Sequence, residues 1–124
     1  MIIGERHPTV LVVEDDQGIA ELIALVLEEA GFDVYTEGEI STALQTLDRL
    51  HPQVVITDLM LPDGLGSDLI VAMRQRECEG TVGSILISAH PQARLHAEAS
   101  HADAYLSKPF DLDDLSRAVE HLVN

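Results

Sequence analysis

The sequence predicts a doubly wound α/β domain, a five-stranded parallel sheet flanked by five helices. Three observations predict it. Short apolar runs alternate five times with segments of helical periodicity. Val54-Val55-Ile56 and Ile85-Leu86-Ile87 are continuous rather than alternating, which suits strands covered on both faces. Several runs also stop at charged or hydroxyl side chains: Glu14 and Asp15, then Asp58, then Ser88, with Lys108 just beyond the last. Right-handed crossovers keep such strands parallel, and ligands bind at their carboxyl ends.

The elements follow in order. A first strand is expected over Thr9–Glu14. Ile19, Leu22, Ile23, Val26, Leu27 and Ala30 then recur at helical spacing, with Asp16 as a cap and Gly31 as a stop. A second strand covers Asp33–Thr36, and a second helix runs Ile40–Leu50 and ends before Pro52. The third strand, Gln53–Asp58, leads to a helix over Gly66–Arg76 with Leu69, Ile70 and Met73 turned inward. The fourth strand is Ser84–Ser88. The helix after it, Pro91–Ser100, has only Ala93, Ala97 and Ala99 to bury, so it is expected to be short or mobile. The last strand is Ala104–Ser107. The last helix, Leu112–Val123, is headed by Asp111, Asp113 and Asp114, acids that complement a helix N-terminus.

Composition narrows the function. At 124 residues and 46% hydrophobic, the chain suits one domain with a real core, residues 1–8 being expected as a flexible leader. No apolar run approaches the roughly 18 residues needed to span a membrane, and MIIGERHP is too short for a signal peptide, so a cytoplasmic protein is expected. The formal charge of −15 repels nucleic acid and anionic lipid, and no aromatic platform for bases is evident. Cys78 is the one cysteine, which excludes an intrachain disulfide; it reads as incidental.

Lys108 is the one lysine among seven basic residues. Arginine codon preference would explain that blandly. The sharper reading is a position needing a compact ammonium that a planar guanidinium cannot replace. Strand ends that bring three acids, a hydroxyl and an ammonium to one sheet edge form a specific signal, although each residue alone is a weak one. Each has an ordinary alternative. Asp58 could cap a turn, Ser88 could bond nearby backbone, Tyr105 could be a half-buried strand residue, and Lys108 could be a solvated surface lysine. His90, His96 and His101 invite a metal reading, but spacings of six and five put no pair on one helical face.

With these motifs in order, the chain resembles the receiver domain of two-component response regulators over nearly its whole length. The acid pair Glu14-Asp15 closes the first strand and Asp58 the third. Pro62 and Gly66 follow Asp58 by four and eight residues. Ser88 is followed by small Ala89, Tyr105 lies in the last strand, and Lys108-Pro109 comes next. The segment from Ser88 to Lys108 is slightly shorter than in the best-known single-domain relatives.

The resemblance implies a flavodoxin-like sheet of order 2-1-3-4-5. It also implies that Asp58 accepts a phosphoryl group from a sensor histidine kinase, a phosphotransfer protein or a small acyl phosphate. Mg²⁺ would be held by Glu14, Asp15, Asp58 and the backbone carbonyl of Met60, with Asp15 the best direct ligand. Lys108 would pair with Asp58, its bond to Pro109 being cis. Ser88 and Tyr105 would form the switch, and Met60 and His90 would tune the lifetime of the aspartyl phosphate. The module would not be an enzyme in its own right. It would act on an effector or output domain, with phosphorylation-dependent dimerisation through the fourth helix, fifth strand and last helix. The alternative is a degenerate receiver that acts only in protein interaction. A phosphohydrolase of the haloacid dehalogenase type would need an acid where Met60 stands. A flavin carrier would need a hydroxyl-rich loop where EDDQG is acidic.

Overall fold

Alternation of apolar residues between the two sheet faces organises the domain. The computed structural model describes residues 7–76 and 82–123; Cys78 and most of the expected leader lie outside them. The elements are β1 (Thr9–Val13), α1 (Gln17–Glu29), β2 (Asp33–Glu37), α2 (Ile40–Leu50), β3 (Val54–Asp58), α3 (Gly66–Gln75), β4 (Gly83–Ser88), α4 (Ala93–Ala99), β5 (Ala104–Ser107) and α5 (Leu112–Val123). All five strands pair in parallel, in the order β2-β1-β3-β4-β5. A two-residue antiparallel ribbon, Met60–Leu61 against Gly64–Leu65, connects β3 to α3. His7 and Pro8, at the end of the expected leader, are tied down: His7 Nδ1 lies 2.9 Å from the Gly31 carbonyl, and the Pro8 carbonyl accepts from Asp33 N–H at 2.9 Å.

The continuous apolar strands serve two cores. Val10, Val12, Val54, Ile56, Ile85 and Ile87 meet Ile23 and Leu27 of α1 and Leu115 and Val119 of α5. On the other face, Leu11, Val13, Val55 and Leu86 meet residues of α2, α3 and α4. Each fully buried aliphatic side chain contributes about 2 kcal/mol of hydrophobic transfer, so the central strands carry most of the driving force.

The helix ends follow their local chemistry. Asp16 is the N-cap of α1, its carboxylate accepting from Ile19 N–H at 3.2 Å. Gly31 ends the same helix at φ +100°, with Phe32 N–H bonded back to the Leu27 carbonyl at 3.0 Å. Asp111 accepts from Asp113 N–H at 2.8 Å at the start of α5. The expected weakness of the fourth helix is real: α4 has seven residues and buries only Ala93 and Ala97, while Leu95 is 62% exposed.

One polar cluster at the amino-terminal edge of the sheet carries no sequence signature. The Asp103 carboxylate accepts from Ser84 N–H at 2.8 Å and from Arg74 at 2.9 Å. Arg74 also donates to the Val82 carbonyl and to Ser84 Oγ, at 2.8 and 3.1 Å. The cluster joins α3, β4 and the loop entering β5. Asp103→Ala removes the shared acceptor and is expected to cost about 1–2 kcal/mol. A lowered urea midpoint at unchanged slope would report it; an unchanged midpoint would show that water replaces the carboxylate without cost.

Candidate functional site

Three strand ends and the β5–α5 connection converge at the carboxyl edge of the sheet. Glu14 follows β1 and extends its ladder, its N–H bonding the Glu37 carbonyl at 2.9 Å. Asp58 ends β3 in register with Ile87. Both acids are buried, at 3% and 8% exposure, because the strands that deliver them are covered by helices on both faces. Asp15 is exposed beside them. Carboxylate oxygens of Glu14, Asp15 and Asp58 all lie within 4.8 Å of one another, the one acidic or histidine grouping of this kind among the described residues. The three histidines of the α4 region form no such grouping, although the His90 and His96 rings meet edge-on at 6.4 Å.

Lys108 directly follows β5 and reaches into this site, and the bond from it to Pro109 is cis. Its Nζ lies 2.6 Å from Glu14 Oε1 and 3.0 Å from Asp58 Oδ2. The sequence reading gives it only Asp58 as a partner; the structure adds Glu14, at the shorter distance. Burial pushes the Glu14 carboxyl above its ordinary value, and the neighbouring Asp58 charge adds to this, while the Lys108 hydrogen bond opposes it. Burial alone would draw the Lys108 ammonium down, but hydrogen bonds and charge from both acids outweigh it and raise its pKa. The ammonium therefore stays charged and neutralises part of a crowded anionic site.

The segment that leaves Asp58 is closely fitted. Gly66 N–H bonds the Leu59 carbonyl at 2.7 Å, and a Cβ on Gly66 would stand 1.9 Å from the Asp58 carbonyl oxygen. Met60, in the connecting ribbon, is 54% exposed. Ser88 ends β4, buried, opposite Ser107. Its Oγ accepts from His90 N–H at 2.9 Å, while His90 Nδ1 accepts from Gln92 N–H at 3.1 Å. Tyr105 is half-buried on β5 against the core beneath α4, and the Arg94 guanidinium lies 5.9 Å from its ring centre. The sequence reading missed Arg94, Asp63 and the Lys108–Glu14 contact. The turn signal Pro62-Asp63-Gly64 could have drawn attention to Asp63.

The donor set suits a hard divalent cation. Magnesium takes oxygen ligands, few of them carboxylates, and its charge relieves repulsion among packed acids. A parallel sheet with acids, a hydroxyl and a lysine at its carboxyl edge is the arrangement that the resemblance to receiver domains implies. The model of the response regulator receiver domain matches residues 10–120. The chain belongs to that family.

Relatives agree. The probable transcriptional regulatory protein TcrX of Mycobacterium tuberculosis is 31% identical over 86% of this chain and 46% of its own length. The DNA-binding dual master transcriptional regulator RpaA of Synechocystis is 32% identical over 94% of this chain and 49% of its own. The chain thus spans about half the length of these curated relatives. A crystal structure of a putative response regulator from Chloroflexus aurantiacus superposes with a TM-score of 0.89 at 29% identity, covering 95% of this chain and 98% of that one. The chemotaxis response regulator CheY4 of Vibrio cholerae shares the fold, with a TM-score of 0.86 at 23% identity over 94% of this chain and 99% of that one. The strand order is that of these receiver domains. Among the described residues, no helix is long and apolar enough to cross a membrane.

Proposed function

We propose that the chain is a switch in which Asp58 accepts a phosphoryl group in a Mg²⁺-dependent reaction, changing what the domain binds. The observation that carries this reading is the Asp58 carboxylate itself: held at a strand end, 3.0 Å from Lys108, within 4.8 Å of the Glu14 and Asp15 carboxylates. Glu14, Asp15, Asp58 and the Met60 carbonyl would hold the cation. Asp15 is the exposed member and would bind it directly. Glu14, already engaged by Lys108, would bind it directly or through water. Bound Mg²⁺ supplies positive charge against the phosphoryl oxygens as they transfer.

In the reaction a carboxylate oxygen of Asp58 bonds to phosphorus, and the phosphorus–nitrogen bond of a phosphohistidine breaks. With a small acyl phosphate donor, a phosphorus–oxygen bond breaks instead. The leaving group keeps the bonding electron pair. Lys108 can follow the new charge from the carboxylate to a phosphoryl oxygen. Ser88 would leave the His90 N–H and donate its hydroxyl to the phosphoryl group. Tyr105 would then turn inward, altering the face formed by α4, β5 and α5. Met60 and His90 flank this path and would set how readily water reaches the acyl phosphate. The phosphoryl chemistry modifies the chain itself, so the module is a switch and not an enzyme acting on a separate substrate.

The partners on this reading are a sensor histidine kinase or phosphotransfer protein and a downstream effector or output domain, with dimerisation through the α4-β5-α5 face. The net charge of −15 argues against direct contact with nucleic acid by this domain. Incubation with an acyl phosphate and Mg²⁺ should add one phosphate by intact-mass measurement, and Asp58→Asn should abolish stable labelling. Equal labelling of the substituted protein would move the acceptor elsewhere. No labelling of the native chain by acyl phosphate or by any phosphohistidine donor would favour the interaction-only alternative.

A further inference from the structure

The first turn of α2 has no cap of its own. Its N-cap residue, Glu39, is extended, and its side chain makes no capping hydrogen bond. The acceptor comes instead from 23 residues further along the chain. Asp63 Oδ1 accepts from Ile40 N–H at 2.7 Å, and Asp63 Oδ2 accepts from Ser41 N–H at 3.0 Å. One carboxylate thus satisfies two of the amide donors that every helix start leaves open.

Asp63 lies in the turn of the Met60–Leu61/Gly64–Leu65 ribbon. Pro62, Asp63 and Gly64 are all exposed, so burial does not fix this turn. The hydrogen bonds from Ile40 and Ser41 do, and the room beside the turn is tight. Gly64 has φ +149°, and a Cβ there would approach Ile40 Cδ1 to 3.0 Å. Asp63 is therefore seated on the first turn of α2 by hydrogen bonds, and Gly64 beside it has little room for a side chain against Ile40. The hydrogen bonds from Ile40 and Ser41 also hold the Asp63 carboxyl below its ordinary value of 3.8. Its share of stability is present above that value and is lost as pH falls through the lowered one.

The same ribbon carries Met60, whose carbonyl is the one backbone ligand assigned to the cation. It pairs Met60 with Leu65 and Leu61 with Gly64, so the seat of Asp63 is two pairs at most from Met60. We propose that Asp63 is a positioning residue for the cation site. It clamps the ribbon onto the start of α2 and so fixes where the Met60 carbonyl stands relative to Glu14, Asp15 and Asp58. This rests on reading those carboxylates as a Mg²⁺ site.

The test separates clamping the ribbon from merely capping a helix. Mg²⁺ affinity is measured by calorimetry, and amide exchange at Ile40 and Ser41 by NMR, for the native chain, Asp63→Ala, Glu39→Ser and the double variant. Serine at position 39 can cap α2 without touching the ribbon. Asp63→Ala should speed exchange at both amides and weaken Mg²⁺ binding about fivefold, the equilibrium equivalent of one lost cap. Against Glu39→Ser alone as reference, the double variant should regain protection at Ser41 while Mg²⁺ binding stays weakened. Affinity that returns with the cap, or native affinity in Asp63→Ala, overturns the positioning role alone. A native chain that fails to bind Mg²⁺ overturns this role and the proposed cation site together.

Discussion

Gly66→Ala should unfold about 10 °C below the native chain, and the part that remains folded should label poorly at Asp58. The added methyl would meet the Asp58 carbonyl oxygen at 1.9 Å, Thr57 Oγ1 at 2.6 Å and the Asp58 carbonyl carbon at 3.0 Å. Two of these three atoms are backbone, so no rotamer change relieves the contact. Either β3 shifts at its end or α3 moves away from it. Both moves disturb the Gly66 N–H bond to Leu59 and displace the Asp58 carboxylate, the proposed acceptor. Overpacking of this kind costs about 3 kcal/mol, a large share of the 5–15 kcal/mol that stabilises a typical domain. That cost corresponds to the expected shift of about 10 °C for a domain of this size. Calorimetry and intact-mass labelling read the two effects separately. Native values of both would mean that this turn relaxes freely.

Lys108→Met should be the second most damaging change, through charge rather than volume. The substitution leaves Glu14 and Asp58 facing each other, with side-chain exposures of 1% and 12% and no cation. Breaking a buried pair by removing one partner costs about 3 kcal/mol or somewhat less where, as here, the lysine is partly solvated. The pH dependence identifies the cause. Glu14 already has a raised pKa from burial, and loss of the lysine raises it further. A raised carboxyl contributes stability that is fully present below its unfolded value of 4.5 and is lost as pH rises through its folded value. The variant should therefore gain stability on acidification from neutral pH more steeply than the native chain. Denaturant midpoints across that range decide it. A slope equal to the native one would show that Lys108 is not compensating the two acids.

Much of this architecture was legible in the sequence because its signals are local. Continuous runs such as Ile85-Leu86-Ile87 announce strands buried on both faces. Asp16 and Gly31 each act within four residues of their own position. The acids at the strand ends pointed to one edge through topology alone. What stayed hidden depends on distant pairing. Lys108 and Glu14 are 94 residues apart, Arg74 and Asp103 are 29 apart, and Asp63 caps a helix that precedes it. None has a spacing that a periodic pattern can show. The ends of α4 were hard to place for another reason. Its buried residues are alanines, which mark a face weakly, and the helix is seven residues rather than the ten of Pro91–Ser100.

The thin footing of α4 has an energetic consequence. Two buried alanine methyls anchor it, at about 0.8 kcal/mol each. On the proposed switch reading, one charge-assisted hydrogen bond to a phosphoryl group is worth a similar amount, about 1.5–3 kcal/mol. A single such bond would therefore be enough to offset the apolar footing of α4, so the proposed switch would need little energy to move this helix. On this reading residues 93 and 97 would form a dial. Enlarging or shrinking them would then reset the threshold of the proposed response, and neither residue belongs to the acidic grouping of Glu14, Asp15 and Asp58.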